Sequence, residues 1–349
     1  MPSTNFPWVK KPLLANAPMA MSAGPALAVA VSQAGGLGFI GPAMDASGTE
    51  QNLSTAAKAI RESESLSSLL PSGHPTLPVG VGFLLWKDEL QTALSAVASH
   101  KPCAAWLYAP RNGQQELDEW MQGIRGASPE TQVWIQIGTV AEARSIVESA
   151  HRPDVVVVQG AEAGGHGRAK DGMGLITLLP EVADVFMGHG IPLIAAGGIA
   201  DGRGAAAAIC LGTNGVVMGT RFLASTEARI SKGYRDAVVQ ATEGAVNTTR
   251  TLLYNHLRGT YGWPEPFSPR TVTNRSWEDH VAGVSFDELK RLHDEAQAKG
   301  DAGWGPEGRL ATYAGAGVGL VGEVLDAGEI VERVRDDAAQ RVRRAQDVV

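Results

Sequence analysis

One histidine stands on unusually bare backbone. In the stretch QGAEAGGHGR, Gln159 to Arg168, four glycines surround His166 and one carboxylate, Glu162. The apolar run PDVVVV comes immediately before, so the histidine follows a candidate buried strand. A neutral imidazole near pH 7 can take a proton from a carbon acid or hydrogen-bond an anion. Gly164 and Gly165 remove side chains next to it, which would let something flat or bulky approach the main chain. A single loop histidine is more often structural; the flanking glycines favour function here. Glu162 reads either as an orienting group for this loop or as a capping or ion-pair carboxylate with Arg168.

Other residues point to the same end of the fold. LIAAGGIADGRG places Gly197 and Gly198 after an apolar run and ahead of a helix, and VVMGTRF places Gly219 and Thr220 after the next run. Exposed N–H groups and helix N-termini at such positions can hold a phosphate dianion. Either glycine pair alone is an ordinary turn signal. Together, at two consecutive strand ends, they indicate a phosphate-bearing ligand. Gln136 interrupts the apolar VWIQIGT and must find a partner, on neighbouring backbone or on a ligand. NAPM, with Ala17, Pro18 and Met19, makes a proline-fixed turn after the first run, and Gly82 in VGVGF opens space after the third.

Eight apolar runs are candidate strands to carry these groups: 13–15, 37–40, 78–81, 104–107, 133–137, 155–158, 193–195 and 216–218. Helical stretches separate them. In VAEARSIVESA, Val140, Ala143, Ile146, Val147 and Ala150 recur at helical spacing. Eight short strands each followed by a helix predict a closed parallel (β/α)8 barrel, a TIM barrel, with ligands at the C-terminal strand ends. An open doubly wound sheet fits less well, because no strand ends in G-x-G-x-x-G opening a helix. The barrel, 1–242, would be followed by an inserted lid-like segment over 243–308, rich in Gly, Pro, Trp and Arg. A segment over 309–349 then returns to the barrel. Trp263, Trp277 and Trp304 read as packing for the insertion rather than as walls of a dry pocket. STEARISKGYRDAVVQA reads as a helix capped by Ser225 or Thr226. The last helix should bury Ile330, Val331, Val334 and Ala338.

The 349 residues are 44% hydrophobic and 19% charged, which fits a globular chain with a sizeable core. A net charge of −7 gives no general attraction to nucleic acid or anionic membrane. PLLANAPMAMSAGPALAVAV superficially resembles a signal segment, but Pro12, Pro18, Gly24 and Pro25 break it, so it reads as the first strand, loop and helix. Cys103 and Cys210 show no metal or disulfide spacing and read as small buried apolar residues in a reducing, cytoplasmic compartment. No metal site is expected. A homodimer is compatible with this reading.

The segments APMAMSAGPALAVAVSQAGGLGFI, QGAEAGGHGR, PLIAAGGIADGRGAAAAICLGTNGVVMGTRF and YAGAGVGLVGEVLDAGEIV resemble the nitronate monooxygenase family, formerly 2-nitropropane dioxygenases, over nearly the whole chain. TRTLLYNHLRGTYGWPEPF resembles its fungal-type branch. The resemblance implies a TIM barrel with non-covalent FMN, acting on a small nitronate or nitroalkane with O2. It further implies that His166 is the base toward neutral nitroalkanes, and that Ala17 to Met19 lie along the isoalloxazine. Gln136 would donate to the flavin's pyrimidine edge, where a fixed donor stabilises developing negative charge. Gly165 would pack close to the flavin, and Gly197, Gly198, Gly219 and Thr220 would hold the phosphate. Two alternatives stay open on the motifs: an NAD(P)H-dependent quinone or enoyl-thioester reductase on the same barrel, and a non-flavin phosphate-barrel isomerase or non-catalytic flavin-binding protein.

Overall fold

The computed structural model describes residues 6–44 and 46–346. Twelve strands occur among them: β1 Leu13–Asn16, β2 Phe39–Ile40, β3 Gly80–Leu84, β4 Ala104–Tyr108, β5 Gln132–Ile137, β6 Val155–Gln159, β7 Gly165–Arg168, β8 Leu193–Ala196, β9 Gly215–Met218, β10 Thr248–Arg250, β11 Phe267–Val272 and β12 Thr312–Tyr313. Eight form one sheet in the order β1-β9-β8-β6-β5-β4-β3-β2, with parallel ladders throughout. A parallel bridge from Ala15 to Leu37 joins its two ends, so the sheet closes into the expected TIM barrel and the open-sheet alternative falls away.

Asn16 makes that seam. It is fully buried, its Nδ2 donates to Phe39 O at 2.7 Å, and its Oδ1 accepts from Phe39 N at 2.9 Å. One side chain thus supplies both halves of a backbone pair where the two-residue β2 is too short to do so. The barrel is filled by aromatic rings: Phe39 lies 5.1 Å from both Trp106 and Trp134.

All eight candidate strands form, with ends moved by up to three residues. The third moves most, because Pro78 has no N–H to give a ladder and pairing with β4 begins at Val81. Outside the barrel the last helix, Ala327–Gln346, buries Ile330, Val331, Val334 and Ala338 as its spacing predicts. The helix expected to start at Ser225 or Thr226 instead runs over Lys232–Gln240, capped by Ser231. Ser225 and Thr226 are diverted to other partners: the Ser225 hydroxyl donates to Phe222 O and that of Thr226 to Asp326. Cys103 is buried, but Cys210 is exposed, contrary to expectation, because it closes a helix on the barrel's outer layer. Among the described residues no helix is long and apolar enough to cross a membrane, and no cluster of three or more His, Cys, Asp or Glu could hold a metal.

The stretch 243–308 lacks the β/α rhythm, as read, but it is not simply laid over the barrel. Its strand β11 pairs antiparallel with β10, with β12 and with β7. The second sheet therefore takes one strand from the loop after β6 and one from beyond residue 308.

Candidate active site

His166 sits on β7, not on a loop. Its register partner is Pro269 of β11, and Gln159, the last residue of β6, donates from Nε2 to His166 O at 3.2 Å. Arg250 of β10 fastens the approach to it. The guanidinium donates to Gly165 O, Ser268 O, Ala161 O and Ala163 O at 2.5–3.3 Å, and Arg270 donates to Ala161 O at 3.1 Å. A guanidinium presents its donors in a rigid planar fork, which suits a loop whose carbonyls converge. Burial, with Arg270 beside it, brings the Arg250 pKa down to about 10.

The two glycines before His166 differ in what they do. A Cβ on Gly164 would lie 2.3 Å from Gly315 N, so that position is bare for the chain's own backbone. Gly165 has φ of +64°, which glycine tolerates, and a Cβ there would meet open space. Gly82 resembles Gly164: Pro18 Cβ fills its space at 2.5 Å. Glu162 caps the helix Leu175–Val185, accepting from Leu175 N at 2.9 Å. It makes no ion pair with Arg168, which pairs with Glu142 and Asp171 instead.

One cavity of about 1050 Å³ opens at the C-terminal strand ends, and Ala17, Pro18, Met19, Gln136, Gly165, His166, Gly197, Gly198, Gly219 and Thr220 all line it. Its charge is one-sided. Among the described residues Lys87, Arg229 and Arg258 line it and no carboxylate does, in a chain of net charge −7. The Nζ of Lys87 donates to backbone carbonyls and Arg229 to Asn52 Oδ1. Trp86 Nε1 and Tyr108 Oη are buried there without a partner among the described residues. Gln136 accepts the Trp106 indole N–H on Oε1 at 3.0 Å. Indole is donor-only, so the carboxamide is oriented and its NH2 is the end left to donate.

The wall facing the barrel is aromatic. Trp263 stacks on His166, ring centroids 3.5 Å apart and planes 5° apart. Trp304 also lines the cavity and packs on Tyr234, whereas Trp277 packs within the insertion's own cluster. The packing role expected for all three tryptophans thus holds for Trp277 alone. Burial in this wall, with Arg250 and Arg258 near, lowers the His166 pKa to about 3, so the ring is neutral at ordinary pH.

Sequence reading did not find Asn255, Arg250, Arg258 or Tyr313, and it took Trp263 for packing. Each lies in, or is paired through, the second sheet, where no periodicity announces the cavity. The one local signal was TLLYNHLRG, an asparagine and a histidine amid apolar residues.

A phosphate dianion fits this cavity. Gly197 and Gly198 have φ of +101° and +71°, a backbone glycine tolerates, and they line the cavity beside Gly219 and Thr220. The Thr220 hydroxyl accepts from Gly315 N at 2.9 Å, so its own hydrogen is available to a ligand.

The fold and cavity define a TIM-barrel protein with one large cavity, lined by cationic side chains, at the C-terminal ends of its strands. The family model for nitronate monooxygenase matches residues 119–335. A nitronate monooxygenase of Metarhizium robertsii is 60% identical over 96% of this chain and 93% of its own length. One of Neurospora crassa is 33% identical over 98% and 93%. A solved structure of nitroalkane oxidase from Streptomyces ansochromogenes superposes with a TM-score of 0.70 at 25% identity, covering 96% of this chain and 98% of that one. FabK from Thermotoga maritima, at 24% identity and a TM-score of 0.75 over 99% and 98%, shares the fold. The chain belongs to the nitronate monooxygenase family of oxidoreductases, and membership implies a flavin cofactor.

Proposed function

We propose that the protein is an FMN-dependent nitronate monooxygenase that oxidises small alkyl nitronates, such as propionate 3-nitronate, with O2 to a carbonyl compound and nitrite. The observation that carries this reading is the cavity with three cationic side chains and, among the described residues, no carboxylate, lined by His166 at one wall and by the Gly197–Gly198 and Gly219–Thr220 turns at another. FMN carries a phosphate and a nitronate is an anion, so both suit an interior of one sign. Gly197, Gly198, Gly219 and Thr220 would hold the phosphate. Ala17, Pro18 and Met19 would border the ring system, with Gly165 opposite, and the Gln136 NH2 would donate to the pyrimidine edge. A flavin bound there would supply the redox chemistry that couples the nitronate to O2. The protein's own part is to orient the substrate against His166 and to keep water off it with Trp263. Two free thiols among the described residues fit a cytoplasmic, reducing setting.

The test is anaerobic. The purified protein should carry a flavin absorption that changes on addition of propionate 3-nitronate, with nitrite and O2 uptake on aeration. A flavin that ignores nitronate and is bleached by NAD(P)H would favour the reductase chemistry, and a colourless protein that FMN cannot reconstitute would overturn the cofactor. His166→Asn keeps an N–H donor but no base near neutrality. It should retain FMN and nitronate turnover and lose about 100-fold more of any turnover of neutral nitroalkanes. Equal loss of both would remove the base assignment.

A further inference from the structure

A directed chain of hydrogen bonds ends on His166. Arg258 Nη1 lies 3.1 Å from Tyr313 Oη, Tyr313 Oη 3.0 Å from Asn255 Oδ1, and Asn255 Nδ2 2.9 Å from His166 Nε2. The polarity follows from what each group can do. A guanidinium only donates, so the Tyr313 oxygen accepts from Arg258 and its hydrogen goes to Asn255 Oδ1. The carboxamide then faces His166 with its NH2, and Nε2 must accept. A flipped carboxamide would put two donors on the Tyr313 oxygen and leave its hydroxyl hydrogen without an acceptor among the described residues, in a buried place where that is costly. Asn255 is 1% exposed, so water does not substitute. Arg258 is held over the Tyr313 ring, 5.4 Å from its centroid, which fixes the outer end of the chain.

We propose that Asn255, aligned by Tyr313 and Arg258, is a positioning residue that locks His166 in the tautomer with hydrogen on Nδ1 and a hydrogen-bonded lone pair on Nε2. The neutral ring then has Nδ1–H as its only donor, and Nδ1 has no protein partner among the described residues. It can give a hydrogen bond to an anionic nitronate. It cannot take a proton from a neutral nitroalkane until Asn255 releases Nε2. The relay therefore sets which of the two substrate forms the site prefers. The kinetic half of this proposal rests on the nitronate reading; the tautomer does not.

The experiment is long-range 1H–15N correlation on protein labelled with 15N-histidine, with the His166 signals assigned by their loss in His166→Gln. Protonated and bare ring nitrogens resonate far apart, so the tautomer is read directly. We expect a protonated Nδ1 and a bare Nε2. Asn255→Asp replaces the donor by an acceptor and should move the hydrogen to Nε2. It should raise the KM for propionate 3-nitronate about tenfold, the worth of one hydrogen bond, and shift the ratio of nitroalkane to nitronate kcat/KM upward by a similar factor. Tyr313→Phe, a milder change, should give a mixture of tautomers by freeing the Asn255 carboxamide to turn. A wild-type His166 protonated on Nε2 would overturn the proposal, as would an unaltered ring pattern in both variants. If Asn255→Asp does not fold, the wild-type and Tyr313→Phe spectra decide the matter alone. A wild type that shows the expected tautomer but ignores nitronate would support the relay while overturning the substrate reading.

Discussion

The cavity has two sides built on different plans. On the barrel side, Gly197, Gly198, Gly219 and Thr220 line it with main chain and one hydroxyl, at positions set by the register of β8 and β9. On the other side, β7 and the stretch between β10 and β11 present side chains: His166, Asn255 and Trp263. The first side is laid down by the barrel's own strands; the second carries an imidazole and the indole stacked on it. Under the function proposed above, the first would hold the cofactor and the second would decide what it is used for.

The sharpest way to break this division is at Arg250, the residue that binds the second sheet to the first. Arg250→Met would take a donor from four carbonyls, three of them between Ala161 and Gly165, and leave Ala161 O to Arg270 alone. Its Nε already lacks a partner, so the balance of burying the charge is delicate. A loss of about 3–5 kcal/mol is expected from chemical denaturation, with turnover falling further than flavin retention. Were flavin lost in proportion to turnover, the two sides would not be separable. On the barrel side the matching change is Asn16→Leu. It leaves Phe39 N and O buried without partners and should cost about 3 kcal/mol, lowering Tm while nitronate KM stays unchanged in the folded fraction.

The pH dependence of stability belongs to the second side. The folded pKa of His166 is lowered to about 3 from an ordinary value of 6.5. Between those values the unfolded chain binds a proton that the folded chain refuses. Stability from this group is therefore complete above about pH 6.5 and is lost as pH falls toward 3. The ring faces a cavity that water can enter, so a loss of about 2 kcal/mol is expected, less than the full shift would give. His166→Asn should flatten this limb of a pH–stability curve. An unchanged slope would mean that His166 titrates normally and that the aromatic wall does not dry it.

The same division governs what the sequence made legible. The eight barrel strands could be read because buried parallel strands are short apolar runs and the helices between them keep a 3.6-residue period. Gly197 and Gly219 could be read because they follow such runs. β7 could not. Its sequence, GHGR, has no β-branched or apolar residue, and it becomes a strand only because Phe267–Val272, a hundred residues later, pairs with it. Gly164 misled for a related reason: its missing Cβ makes room for Gly315, a contact across 151 positions that no local pattern signals. Asn255 and Tyr313 come together in the same non-local way, and Trp263 was taken for packing because a tryptophan's partner is not written beside it.

Trp263→Ala tests the aromatic wall with the smallest disturbance. The ring covers one face of His166 and contacts Trp86, 4.9 Å between centroids. The residue is only partly buried, so the stability cost should be about 1 kcal/mol. Removing the ring admits water to the imidazole. The His166 pKa should rise toward its ordinary value, and the acid limb of the kcat/KM profile for nitronate should move to higher pH. At pH 7.5 a drop of about tenfold in kcat/KM is expected, through looser substrate placement, with flavin content unchanged. Loss of flavin instead would put Trp263 with the cofactor cradle and erase the boundary between the two sides. An unchanged pH profile with lower kcat/KM would leave the boundary in place but reduce the tryptophan to a spacer, with the drying of His166 due to Tyr313 and the buried Asn255 alone.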